Sequence, residues 1–90
     1  MFKNLEQLIK TIRDRKTFSS DKSYTSKLLN DKNLSVSKVK EEIRELIEAV
    51  EENSNKVHEA ADVIYHLMVY LEVNNIKIED VMEELKKRQK

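Results

Sequence analysis

The first forty residues show apolar positions at helical spacing, interrupted by two polar stretches. Leu5, Leu8, Ile9 and Ile12 recur at this spacing, which predicts a first helix over roughly residues 3–16. Residues 17–22 lack periodicity and contain several turn-formers, so we expect a loop there. A short helix over 23–29 follows, with Ser23 as its N-cap, and residues 30–33 form a second connection.

The second half of the chain is more continuously periodic. One apolar stripe predicts a third helix that begins near Ser35 or Ser37; it consists of Val39, Ile43, Leu46, Ile47 and Val50. The polar stretch 53–55 ends this helix, and Ser54 is available to cap a fourth helix over about 55–74. A final helix begins at Ile78. Because a short loop joins the third and fourth helices, we expect an antiparallel helical hairpin within an all-α bundle of four to five helices.

The fourth helix is apolar on nearly all sides. Most of its apolar residues share one face: Val57, Ala60, Ala61, Ile64, Leu67, Met68 and Leu71. Val69 and Val73 lie almost opposite them. A helix of this kind must be buried almost all round, and so short a chain cannot cover it alone. We therefore expect homo-oligomerisation, as a dimer or a dimer of dimers, to complete the bundle.

Composition supports this fold class and narrows the function. The 90 residues contain no Gly, Pro or Cys, which disfavours tight β-turns, a glycine-rich phosphate loop and a thiolate metal site. Residues 1–40 hold ten Lys and Arg against four Asp and Glu, whereas residues 41–62 hold eight acids against two bases. The net charge of zero argues against a nucleic-acid partner. Apolar runs are too short for a membrane span, and we expect a cytoplasmic protein.

Two carboxylate pairs stand at the margin of apolar faces. Glu42 and Glu45 are i, i+3 neighbours on the third helix, and Glu59 and Asp62 repeat this spacing on the fourth. Either pair alone is common on exposed helices, but one pair on each arm of a hairpin would be costly to keep ionised without a cation. Oxygen ligands without cysteine favour Mg²⁺, with Mn²⁺ as the alternative.

These pairs belong to a longer pattern. Glu41-Glu42-Ile43-Arg44-Glu45, followed by Glu59-Ala60-Ala61-Asp62, resembles the E-E-x-x-E … E-x-x-D motif of the all-α NTP pyrophosphatases. Within that superfamily the chain resembles the phosphoribosyl-ATP pyrophosphatases of histidine biosynthesis. The narrower resemblance rests on Ser23-Tyr24-Thr25 and on Tyr65-His66 after Asp62. It implies a single all-α pyrophosphohydrolase domain over residues 1–90 that converts phosphoribosyl-ATP to phosphoribosyl-AMP and pyrophosphate.

The resemblance also implies roles for individual residues. Glu42, Glu45, Glu59 and Asp62 would be catalytic metal ligands, and Glu41 would bind a second ion, support the ligands or face solvent. The other candidates would contact the phosphorylated nucleotide substrate; they are Arg15, Lys16, Ser23, Tyr24, Thr25, Lys38 and His66. Two alternatives stay open at this point: a house-cleaning nucleoside triphosphate pyrophosphatase, and a helical dimerisation module without chemistry.

Overall fold

The computed structural model describes residues 1–17 and 23–89, which form five α-helices and no strand. The helices are α1 (Lys3–Thr17), α2 (Tyr24–Leu29), α3 (Lys32–Glu52), α4 (Lys56–Val73) and α5 (Ile78–Arg88). The predicted all-α class, the first helix and the last helix are therefore confirmed. Ser23 caps α2 as predicted, because its side chain accepts a hydrogen bond from the Ser26 amide at 3.2 Å. Most of the loop predicted over 17–22 lies outside the described residues.

The predicted start of α3 near Ser35 or Ser37 is wrong. The helix begins at Lys32, inside the stretch 30–33 that was expected to be a connection. The Asp31 side chain accepts a hydrogen bond from the Leu34 amide at 3.0 Å, which satisfies one of the amides at the helix start. This cap allows α3 to begin about two turns before its apolar stripe.

Asparagines make the turn between α3 and α4. Asn53 and Asn55 both have φ of 54°, in the left-handed region that glycine usually occupies. The expectation that Ser54 caps α4 is wrong, since Asn55 holds the N-cap position. Ser54 instead closes α3, because its amide donates to the Ala49 carbonyl at 3.0 Å. At the other end of α4, Asn75 also takes a positive φ, of 58°, at the predicted stop.

Helix α4 is the centre of the bundle and packs against α1, α2 and, most extensively, α3. The core cluster joins α1, α2 and α4; it consists of Ile12, Leu28, Val69 and Val73. Leu28 and Val69 are fully buried. The six residues of α2 are too few for a stable isolated helix, so this packing holds α2 in place.

Polar contacts attach α1 to the end of α4 and to α5. The Arg13 guanidinium donates two hydrogen bonds to the Glu79 carboxylate, at 2.8 and 2.6 Å. Every residue of α5 is at least partly exposed, so this ion pair is a principal link between α5 and the bundle. Hydrogen bonding to Arg13 lowers the pKa of Glu79 to about 2.

The larger apolar face of α4 is largely exposed in the single chain. Val57 is 86% exposed and Ile64 is 46% exposed, whereas the opposite residues Val69 and Val73 are buried. The stripe predicted on α3 is also largely exposed, at Ile43, Ile47 and Val50. The side of α3 that faces the chain's own core carries Val39, Glu42 and Ala49. No helix within the described ranges is long and apolar enough to cross a membrane.

Candidate metal centre

Helices α3 and α4 bring three of the predicted metal ligands together. Glu42 is only 8% exposed, and Glu45 and Glu59 are partly buried. One carboxylate oxygen from each of these three residues lies within 4.8 Å of the other two. The hairpin therefore brings carboxylates from α3 and α4 together on the side that faces the core.

Two oxygens of this cluster lack the partners that buried polar atoms normally have. Oε2 of Glu42 and Oε2 of Glu59 are buried, and within the described part of the chain neither has a hydrogen-bond partner. A buried carboxylate oxygen without a donor or cation is costly, and native proteins rarely leave one so. The two oxygens thus fit a site for a divalent cation.

The electrostatics of the cluster point the same way. Burial, followed by the nearby charge of Glu45, raises the pKa of Glu42 to about 7. Burial also raises the pKa of Glu59, again with Glu45 as the next cause. One carboxylate oxygen of Glu45 lies within 4.8 Å of an oxygen of each of the other two carboxyl groups. Without a cation, the cluster is most stable when it holds a proton near neutral pH.

Asp62, the fourth predicted ligand, stands at the edge of this group. It clusters with Glu59 and His58, and its Oδ2 is 3.4 Å from His58 Nε2. Its negative charge contributes to the raised pKa of both Glu42 and Glu59. His58 was not among the predicted site residues. Its i, i+4 spacing to Asp62 could have indicated this contact.

Lys38 supplies a positive charge next to the cluster. Its Nζ lies 3.2 Å from Oε2 of Glu41, and this hydrogen bond raises the pKa of Lys38. Burial raises the pKa of Tyr24, while the charge of Lys38 opposes this and the charge of Glu42 adds to it. Glu41 thus faces a lysine, while Glu42, its neighbour in sequence, faces the other carboxylates.

The candidate residues of α2 contact α4 just beyond Asp62. The Tyr24 hydroxyl lies 3.0 Å from His66 Nε2, and the Thr25 hydroxyl lies 2.5 Å from the Tyr65 hydroxyl. His66 Nδ1 lies 2.9 Å from the Asp62 carbonyl oxygen. These contacts bring the predicted residues Tyr24, Thr25 and His66 close to the turn of α4 that carries Asp62. Ser23 caps the same end of α2.

Lys16 is placed elsewhere. Its Nζ donates to the Glu72 carbonyl oxygen at 2.7 Å and to Oδ1 of Asn75 at 2.8 Å, at the C-terminal end of α4. Glu72 lies about 15 Å along the helix axis from Asp62, at about 1.5 Å per residue. Arg15 lies in the last turn of α1, partly buried. The structure therefore does not bring Lys16 to the carboxylate cluster.

The sequence is similar to known proteins along nearly its whole length. The model of the phosphoribosyl-ATP pyrophosphohydrolase family matches residues 5–89. A phosphoribosyl-ATP pyrophosphatase of Sulfurisphaera tokodaii is 44% identical over 89 residues, covering 96% of this chain and 95% of the relative. One from Dechloromonas aromatica is 39% identical over 88 residues, covering 94% and 82%.

A longer relative shares the same region. The chloroplastic histidine biosynthesis bifunctional protein of Arabidopsis thaliana is 40% identical over 90 residues, and the match covers 94% of this chain. The match covers only 32% of that protein, so this chain spans about a third of its length. With the family model matched along nearly its whole length, the chain belongs to the phosphoribosyl-ATP pyrophosphohydrolase family.

Proposed function

We propose that this chain hydrolyses phosphoribosyl-ATP to phosphoribosyl-AMP and pyrophosphate, the second step of histidine biosynthesis, with Mg²⁺ as its cofactor. The observation that carries the proposal is the convergence of Glu42, Glu45 and Glu59, with two buried oxygens that lack partners in the described structure, in a chain of this family. The bond cleaved is the α–β phosphoanhydride. We place the reaction in the cytoplasm.

The carboxylates fit a hard divalent cation. Glu42, Glu45 and Glu59 offer only oxygen ligands, which suit Mg²⁺ and, as the alternative, Mn²⁺. Asp62, at the edge of the group, would complete the ligand set, and His58 Nε2 lies 3.4 Å from its Oδ2. When bound, the ion supplies charge neutralisation at the phosphate oxygens and lowers the pKa of a bound water.

The chain's own residues then have separable tasks. Lys38 provides a positive charge beside the cluster for the polyphosphate, and Glu41 holds its ammonium group at 3.2 Å. One oxygen of Glu45 lies within 4.8 Å of an oxygen of Glu42 and of Glu59, so Glu45 is placed to orient an attacking water or to take its proton. Arg15 and Lys16 stay predictions as phosphate ligands, and the bonds of Lys16 to the end of α4 weigh against it.

Pyrophosphate release tests this proposal. Wild-type protein, Glu59→Gln and Asp62→Asn are assayed with phosphoribosyl-ATP and with a panel of nucleoside triphosphates, in Mg²⁺ and in EDTA. We expect turnover of phosphoribosyl-ATP only with the metal, and a loss of at least about 100-fold in kcat for each variant. Glu48→Gln, the same kind of change at an exposed position of α3, is the matched control and should retain wild-type activity.

Each of the other outcomes would support one of the alternative functions. A preference for a nucleoside triphosphate would identify a house-cleaning pyrophosphatase and refute the substrate proposed. Absence of turnover and of Mg²⁺ binding would leave the dimerisation module as the explanation. Full activity of Asp62→Asn would remove Asp62 from the ligand set.

We also propose that a second copy of the chain covers the exposed apolar stripes of α3 and α4. These stripes consist of Ile43, Ile47, Val50, Val57, Ile64 and Leu67, all at least 37% exposed. Large exposed apolar patches mark interaction sites, and a short chain gains most from sharing them. Light scattering after size-exclusion chromatography should give a dimer or a tetramer, and Ile64→Glu should shift the protein toward the monomer. A wild-type monomer at assay concentrations would refute this assembly.

A further inference from the structure

Two adjacent residues of α2 meet two adjacent residues of α4. Tyr24 contacts His66, and Thr25 contacts Tyr65, through the hydroxyl and ring-nitrogen contacts described above. The rings also pack on one another: the Tyr65 and His66 ring centres are 4.9 Å apart and nearly perpendicular. These four side chains join α2 to the turn of α4 that follows Asp62.

The direction of the hydrogen bonds follows from their acceptors. The Asp62 carbonyl oxygen can only accept, so His66 Nδ1 carries the proton and donates to it at 2.9 Å. In the neutral imidazole, Nε2 is then an acceptor, and the Tyr24 hydroxyl donates to it at 3.0 Å. His66 is 7% exposed, so this arrangement is shielded from water.

The hydroxyl of Tyr24 is therefore engaged inside the chain, although the residue as a whole is 46% exposed. The Tyr65 ring stacks against it at 6.3 Å with an interplanar angle of 20°. Lys38 and Glu42 lie close enough for their charges to act on the Tyr24 phenol. What Tyr24 offers next to the carboxylate cluster is thus an aromatic surface and not a hydrogen-bond donor for phosphate.

We infer that Tyr24 binds the heteroaromatic base of the substrate by ring contact, and that His66 is a positioning residue that fixes the Tyr24 ring through its hydroxyl. This inference rests on the proposed function, because a nucleotide must occupy the site. Aromatic side chains bind bases through their π-faces, and a ring already held in place loses less conformational entropy on binding. His66 then acts on the nucleotide only through Tyr24.

Steady-state kinetics on phosphoribosyl-ATP at saturating Mg²⁺ test both parts. Tyr24→Leu removes the ring and should raise KM at least about tenfold, with kcat changed less. Tyr24→Phe keeps the ring but releases it from His66, and should raise KM about fivefold, the factor expected for one lost hydrogen bond. His66→Phe should give the same increase. Tyr70→Phe removes a hydroxyl elsewhere on α4 and is the matched control.

The double variant Tyr24→Phe with His66→Phe decides whether His66 acts through Tyr24. If it does, KM in the double variant should equal that of either single variant, since the same contact is lost only once. His66→Gln, whose amide oxygen can accept from Tyr24, should restore KM to within about twofold of wild type. Circular dichroism checks that each variant is folded, and Mn²⁺ binding without nucleotide should be unchanged in Tyr24→Leu and Tyr24→Phe.

Specific results would overturn the inference. A KM for Tyr24→Leu within twofold of wild type would show that the ring does not contact the base. Increases that multiply in the double variant would show that His66 acts independently of Tyr24. Both results require an active wild-type protein, whereas a wild-type protein that does not turn over phosphoribosyl-ATP refutes the proposed function itself.

Discussion

Replacing Glu42 with glutamine should make the metal-free protein more stable while it removes the metal site. Glu42 has a pKa of about 7 in the folded chain and an ordinary value of 4.5, so the folded state holds this proton more tightly than the unfolded state. Stability is therefore highest below pH 4.5, falls as the pH rises toward 7, and is constant above it. Glutamine resembles the neutral carboxyl group and does not ionise, so the variant should lose this pH dependence.

The size of the effect follows from the pKa difference. One pKa unit corresponds to about 1.36 kcal/mol, so the shift of Glu42 is worth up to about 3 kcal/mol at pH 8 and only a few tenths of a kcal/mol at pH 4. For a domain of this size, about 3 kcal/mol corresponds to an increase in Tm of more than about 10 °C. Thermal unfolding followed by circular dichroism in EDTA, at fixed protein concentration, measures the difference in stability at pH 8 and at pH 4.

The same experiment in Mg²⁺ should reverse the order. A cation that binds only the folded wild type adds about 4.1 kcal/mol at 1,000 times its Kd, which exceeds the advantage of about 3 kcal/mol that Glu42→Gln has in EDTA, and Glu42→Gln should gain little of this. Wild-type affinity for Mg²⁺ should also rise between pH 6 and pH 8, because the proton on Glu42 must leave first. Glu48→Gln, exposed on the same helix, should stay within about 0.5 kcal/mol of wild type at every pH. A Glu42→Gln protein no more stable than wild type at pH 8 in EDTA would refute the reasoning.

Three further changes test other parts of the fold. Asn55→Gly should keep or raise stability in urea, whereas Asn55→Ala should lower it by about 1 kcal/mol because of the left-handed backbone; equal values would contradict this. Glu79→Gln should lower the protection of α5 amides against hydrogen exchange but not that of α3 amides. Acidification toward pH 2, with rates corrected for the intrinsic exchange rate at each pH, should lower α5 protection in the wild type as Glu79 takes up its proton; unchanged α5 protection would disprove the attachment through Arg13. Lys16→Met should lower stability by about 1 kcal/mol with an unchanged KM; a raised KM at unchanged stability would instead support phosphate binding by Lys16.

The sequence allowed most of the helices and the carboxylate cluster to be predicted, because both depend on local spacing. Glu42 and Glu45 share a face wherever α3 begins, and Glu59 lies on the adjacent face of α4 once the two helices form a hairpin. The start of α3 depended on a single capping side chain, Asp31, among polar residues without periodicity. Apolar spacing cannot locate a boundary of that kind.

Which face of α4 is inside could not be predicted from periodicity. Spacing shows that Val57 and Ile64 share one face and that Val69 and Val73 share another, but both faces are apolar. The choice is made by α1 and α2, whose Ile12 and Leu28 pack on Val69 and Val73. The contact between Tyr24 and His66, 42 residues apart, depends on the same packing. Such contacts follow from tertiary structure and not from local pattern.

This choice of face connects the site to the assembly. By turning Val69, His66 and Glu59 inward, the chain places its carboxylates where burial raises their pKa, and it exposes the more apolar side of α4. The described part of the chain has only six buried apolar side chains, so a single copy has little stability to offset the charged cluster. The proposed cation and the proposed second copy would both bind the folded state, and each would stabilise it by mass action. The two proposed partners would therefore compensate for one arrangement, in which the inner face of the hairpin would serve chemistry and its outer face would serve association.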